Sequence, residues 1–237
     1  MNKGFLIVKN ITREGPGLLE ELLKEKNISY TVANLHTGES LPAPEHYGAV
    51  VMLGGPDSAN DETPKMQSER AFMKTVLENK IPFIGICLGL QVMVKVAGGE
   101  VYKGPFKEIG FRDHQGQPFE VIMRTQAKDH DPLFAGMGEN FRVFQLHGET
   151  VKLTASMQQL AVGRLIKNQI VKIGDTAYGI QCHFELTPAM FEQWITEDPD
   201  LLKLDRAMLR SEFEAIKTEY THVGHQLFGN FIKIAGL

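Results

Sequence analysis

The run Ala49-Val50-Val51-Met52-Leu53, apolar at every position and stopped by Gly54-Gly55-Pro56, constrains this chain more than any other segment. A half-exposed strand alternates apolar and polar residues. A run with no polar face must be covered on both sides, as a strand is inside a parallel sheet flanked by helices. Phe5 to Val8, Ser29 to Ala33 and Pro82 to Ile86 read as further short strands. Between them, Leu18 to Lys24 and about Lys65 to Asn79 carry apolar residues at helical spacing, with Pro16 and Thr63-Pro64 placed where a helix start tolerates proline. Strand and helix in alternation predict βαβ units.

A helix over roughly Leu88 to Ala97 closes this regular half. From Gly98 to about Gly179 the pattern changes to short strands separated by turn residues, such as Phe119 to Met123 and Ala161 to Arg164, which predicts antiparallel strands added to the sheet. Beyond Pro188 the strand pattern disappears. Asp205 to Ile234 reads as one or two helices, with Leu209, Phe213, Ile216 and Tyr220 as packing positions. No internal repeat, low-complexity tract or linker divides the 237 residues, so residues 1–237 are expected to form one α/β domain with a helical extension over about 188–237.

Composition narrows the function classes. Against 29 acidic residues there are 25 Lys and Arg, so no basic surplus offsets a phosphate backbone and no nucleic-acid partner is expected. No apolar stretch approaches the ~18 residues of a membrane span, and the Met1-Asn2-Lys3-Gly4 start lacks a leader's long apolar region. A cytoplasmic protein away from membranes is the expectation. Two cysteines, Cys87 and Cys182, do not make a disulfide framework and point to a reducing compartment.

The chemistry concentrates at Gly85-Ile86-Cys87-Leu88-Gly89, where a thiol occupies the nucleophile position of a G-x-S-x-G strand-to-helix elbow. The turn strains its middle residue, so the flanking positions must be small, and Gly85 and Gly89 meet that demand. Cys87 would stand at the carboxyl end of a parallel strand and the N-terminus of a helix, where a thiolate is favoured. A cysteine nucleophile needs a base, and the base needs an orienting group. His183 and Glu185 lie two apart on an extended segment and project to one side, so the carboxylate can fix the imidazole tautomer. The order Cys, His, Glu differs from that of an α/β-hydrolase, whose acid precedes its histidine. An oxyanion would find donors in the Leu88 N–H and in the Gly54-Gly55-Pro56 turn.

These segments, together with Glu108-Ile109-Gly110, Leu146-His147-Gly148-Glu149-Thr150-Val151 and Gly179-Ile180-Gln181-Cys182-His183-Phe184-Glu185, make the sequence resemble class I, or triad-type, glutamine amidotransferases. The nearest likeness is to the stand-alone group similar to the glutaminase part of GMP synthase. The resemblance spans about residues 50 to 185. It implies a flavodoxin-like, mostly parallel sheet flanked by helices, and hydrolysis of the glutamine side-chain amide. Cys87 would be the nucleophile, His183 the proton carrier and Glu185 its holder. By the same resemblance Gly55 and Leu88 would form the oxyanion hole, while Gly54, Gln91, Gly148 and Glu149 would grip the amino-acid end of the substrate. Family members commonly have an aromatic residue before the histidine and a proline after it, where this chain has Cys182 and Phe184. Loss of proline's fixed φ loosens the expected His183–Glu185 geometry, and Cys182 should point away and pack inside.

Other signals are weaker. His147-Gly148-Glu149 has the H-x-E form of a zinc deaminase without the P-C-x-x-C that completes it. His222 and His225 lack further ligands nearby, Gly136-Met137-Gly138 lacks a third glycine, and no phosphate-binding G-x-x-x-x-G-K-[ST] occurs. No metal and no cofactor are expected. The expected partners are glutamine or a γ-glutamyl compound and, for synthesis, a separate synthetase or acceptor subunit. A γ-glutamyl peptidase acting on glutathione-like conjugates shares the same thioester chemistry, and a noncatalytic flavodoxin-like binding module is the alternative of another class.

Overall fold

The computed structural model describes residues 3–237; Met1 and Asn2, part of the stretch read for a leader, lie outside them. Five parallel strands, β1 (Phe5–Lys9), β2 (Tyr30–Asn34), β3 (Ala49–Met52), β4 (Phe83–Ile86) and β11 (Ala177–Ile180), run in the order β2-β1-β3-β4-β11. The apolar runs behave as their composition requires: every residue of β3, β4 and β11 is buried. Alternate residues serve two cores. Phe5 and Ile7 pack beneath α1 (Leu18–Glu25) and α6 (Arg206–Ile234), whereas Leu6 and Val8 meet α2 (Pro64–Glu78) and α3 (Leu88–Val96). Thr63 caps α2, its hydroxyl accepting the Met66 N–H at 3.2 Å with Pro64 in the first turn.

The less regular stretch, which also holds the short helix α4 (Thr125–His130), splits in two. β6 (Glu120–Met123), β7 (Asn140–Arg142), β9 (Met157–Gly163) and β10 (Ile170–Ile173) extend the sheet as antiparallel strands in the order β11-β10-β9-β6-β7. β5 (Glu100–Gly110) and β8 (Gln145–Lys152) leave it and form a separate antiparallel ribbon. Pro105 cannot donate to a ladder, and the ribbon's register shifts between Lys103 and Glu108. The C-terminal helices are α5 (Pro188–Glu197) and α6, a single helix of 29 residues capped by Asp205. Among the described residues no helix is long and apolar enough to cross a membrane.

This order makes β1 and β3 neighbours although β2 lies between them in sequence. Open sheets bind ligands where connections at the strands' carboxyl ends diverge. The β1–α1 loop, the β3–α2 turn and the β4–α3 elbow therefore meet at one crevice.

Candidate active site

Cys87 occupies the elbow between β4 and α3 with φ 50° and ψ −101°, a conformation that costs a side-chain-bearing residue about 1–3 kcal/mol. Surrounding bonds hold it there: its N–H donates to the Ile180 carbonyl at 2.7 Å, and its carbonyl accepts from Gln91 N–H at 3.2 Å. The flanking glycines are required by contact. A methyl on Gly85 would strike the Gly89 backbone, and one on Gly89 would strike the Met52 carbonyl. The thiol sulfur lies 3.8 Å from both the Gln181 amide nitrogen and the Leu146 carbonyl.

His183 follows β11, with its N–H donating to the Phe144 carbonyl at 2.9 Å. Its Nδ1 lies 2.6 Å from Glu185 Oε1, both side chains being buried, and its Nε2 has no hydrogen-bond partner. The other Glu185 oxygen accepts the Phe184 N–H at 2.9 Å. Burial alone would lower the pKa of His183, but the Glu185 charge and the Cys87 thiol beside it hold it well above the ordinary value. Gly54 fixes the convergence. A methyl placed there would stand 3.4 Å from both Cys87 Cβ and His183 Cε1 and collide with a carboxyl oxygen of Glu14. Across the same turn, a methyl on Gly55 would lie 3.3 Å from Leu88. Neither the Gly55 nor the Leu88 N–H donates to a protein acceptor among the described residues.

The ribbon supplies another wall. Gln91 Nε2 donates to the Glu149 carbonyl at 3.2 Å, His147 Nδ1 meets the same oxygen at 3.0 Å, and the Glu149 carboxylate accepts from Ser58 Oγ at 2.8 Å. His147 Nε2 faces Glu108 Oε2 at 3.1 Å. A carbonyl only accepts, so Nδ1 carries a hydrogen; the contact at Nε2 then needs a further proton, held by the ring or by Glu108. Gly148 packs over the Lys107 side chain. Ser58, Gln91, His147, Gly148 and Glu149 join Cys87 and His183 in lining a cavity of about 610 Å³ that also takes in Arg13, Glu14, Asp198 and Asp200. No group of three or more His, Cys, Asp or Glu side chains among the described residues is placed to hold a metal ion, and His225 instead faces Glu21 at 3.5 Å.

The class-I glutamine amidotransferase family model matches residues 17–199, which contain the elbow, the ribbon and the His183 segment. The chain belongs to that family. Its relatives include the glutamine amidotransferase-like protein YfeJ of Salmonella typhimurium, 27% identical over 91% of this chain and 90% of that one. They also include the glutamine-hydrolysing GMP synthase of Thermosipho melanesiensis, 31% identical over 63% of this chain but only 26% of that enzyme. The crystal structure of a glutamine amidotransferase from Thermotoga maritima superposes with a TM-score of 0.86 at 29% identity, covering 98% of this chain and 99% of that one.

In this chain the absence of proline after His183 has a structural counterpart. Phe184 keeps the amide hydrogen that proline lacks and gives it to Glu185, so a hydrogen bond holds the carboxylate where a fixed φ was expected to help. Cys182 is fully buried, and burial holds its thiol well above the ordinary pKa. The C-terminal helices do more than pack. Trp194 of α5 sets its ring at 88° to the His183 ring with centroids 4.9 Å apart, and Tyr220 of α6 donates to the His183 carbonyl at 2.9 Å while accepting the Leu186 N–H at 3.3 Å. Sequence reasoning assigned no site role to Glu14, Gln181, Trp194 or Tyr220. Only the β1–β3 adjacency of a flavodoxin-like order signals Glu14, because that order brings the loop after β1 beside Gly54.

Proposed function

We propose that this chain hydrolyses the side-chain amide of glutamine as a stand-alone amidotransferase, through a γ-glutamyl thioester on Cys87. The observation that carries the reading is the unpartnered Nε2 of His183, buried beside Cys87 with its Nδ1 committed to Glu185. The thiol's proton moves to Nε2, and sulfur attacks the amide carbon. The Leu88 and Gly55 amides receive the developing oxyanion, and His183 returns the proton to the leaving nitrogen. Water, deprotonated by His183, then hydrolyses the thioester to glutamate. In this reading Gln91, Gly54 and the Gly148-Glu149 backbone receive the amino-acid end. The match to about a quarter of a GMP synthase supports a separate synthetase or acceptor subunit as partner when ammonia is used for synthesis.

A second reading rests on the cavity. About 610 Å³ falls in the ~300–1,000 Å³ range of small-molecule sites and leaves room for a leaving group larger than ammonia, as in a γ-glutamyl peptide. Trapping purified protein with glutamine or with a γ-glutamyl dipeptide, followed by mass analysis of Cys87 and of the released amine, separates the two. A dipeptide adduct with none from glutamine would overturn the first reading. Cys87→Ala should lose at least ~10³-fold in activity, the scale of nucleophile removal; full retention would favour a noncatalytic binding module.

A further inference from the structure

Glu14, in the loop between β1 and α1, is 5% exposed and lines the cavity, yet its Oε2 has no hydrogen-bond partner. A buried carboxyl oxygen without a donor is costly and calls for a ligand or a proton. Arg13 on its own loop pairs with Asp198 at 2.7 Å and makes no hydrogen bond to that oxygen. Glu14 reaches the same point above Gly54 as Cys87 and His183, on a different element from Gln91 and Glu149. A nitrogen expelled from the thioester carbon with His183's proton is therefore released beside Glu14.

We infer that Glu14 is the site of the leaving nitrogen, its carboxylic acid converting departing ammonia into ammonium inside the cavity. The inference rests on the thioester chemistry proposed above. The protons balance as follows. The C–N bond breaks as His183 Nε2 gives its proton to nitrogen, producing ammonia; Glu14 gives a second proton, producing ammonium paired with its carboxylate. Ammonium departs, water cleaves the thioester, and the proton of the new γ-carboxylic acid returns to Glu14. Ammonium has no lone pair with which to attack the thioester, so the acyl-enzyme is committed to hydrolysis.

The charged groups facing Glu14 are His183 and Glu185 from the segment after β11, Arg13 from its own loop and Asp198 after α5. Burial outweighs them and pushes the Glu14 carboxyl up to about 7, which keeps a proton available near neutrality. A leaving group that needs no proton separates this role from a structural one. In Glu14→Gln, the ratio of kcat/KM on glutamine to that on a γ-glutamyl 4-nitrophenyl ester should fall at least ~10-fold, less than the ~10²–10⁴-fold of a proton moved in the transition state because Glu14 acts after the C–N bond has broken. The alkaline limb that Glu14 places near pH 7 in the glutamine profile should vanish with it. Equal losses on amide and ester would overturn the role and leave the amidohydrolase reading standing. If wild-type protein spares glutamine but cleaves a γ-glutamyl dipeptide, the assignment of glutamine falls, and the same amide-to-ester ratio measured on the dipeptide decides the role of Glu14.

Discussion

Glu185→Gln tests the site with almost no change of shape. Glu185 uses both oxygens as acceptors, Oε1 from His183 Nδ1–H at 2.6 Å and Oε2 from Phe184 N–H at 2.9 Å. A carboxamide has one acceptor oxygen. With that oxygen toward His183, its NH₂ would face the Phe184 N–H, leaving a buried donor unsatisfied at about 1–3 kcal/mol. With the oxygen toward Phe184, every group is paired only if His183 Nδ1 accepts, which forces the ring proton onto Nε2. The second arrangement wins, and it is the tautomer that cannot take a proton from Cys87. Removing the carboxylate charge also leaves burial to dominate, so the imidazole pKa falls. We expect kcat to drop ~10³–10⁴-fold, the scale of the wrong-tautomer penalty in Ser-His-Asp hydrolases, with a melting temperature close to that of the wild type. Steady-state hydrolysis together with ¹⁵N chemical shifts of the His183 ring would read both effects. A folded variant within about tenfold of wild-type kcat would refute the reasoning, since that loss is far below the penalty a blocked Nε2 imposes.

Three further outcomes follow from contacts described above. Tyr220→Phe leaves the His183 carbonyl and the Leu186 N–H unpaired inside the protein, so urea unfolding should show a loss of roughly 2–4 kcal/mol, with kcat reduced more than KM is raised. Gly54→Ala drives a methyl into Glu14 and against Cys87 and His183; activity should fall at least ~10²-fold in a protein that still melts cooperatively, and wild-type turnover would contradict the crowding at that turn. Glu69, fully buried in α2 with both carboxyl oxygens unpartnered, is pushed by burial from 4.5 up to about 7. Because its folded pKa lies above its unfolded one, its favourable contribution is complete below about 4.5 and lost as pH rises through about 7. Glu69→Gln should therefore stabilise the protein at pH 8 relative to pH 5 by on the order of 3 kcal/mol, measured as the difference between urea midpoints.

The parts legible in the sequence are those whose local pattern admits one solution. A wholly apolar run such as Ala49 to Met52 must be covered on both faces, and glycines flanking Cys87 mark a turn whose neighbours leave no room for a side chain. The spacing of His183 and Glu185 places both on one side of an extended segment, and their 2.6 Å contact uses that geometry. The ribbon was harder to read. β5 mixes exposed Tyr102 and Phe106 with charged residues and Pro105, so nothing local separates a free-standing ribbon from one more sheet strand. Glu14 was harder still, because no local rule buries a carboxyl group; its burial comes from the β1–β3 adjacency, a property of topology. Tyr220 shows as a helical packing position, whereas its hydroxyl's partners belong to a segment 34 and 37 residues away.

The long terminal helix has a practical consequence. The family match ends at residue 199, and a fragment trimmed to that edge would keep the thiol, the imidazole and the carboxylate. It would also discard the hydroxyl that anchors the histidine's backbone and the aromatic rings that roof one core. An excised module of that length should be poorly folded and inert, so the smallest working unit of this protein is larger than the portion by which its kinship is recognised.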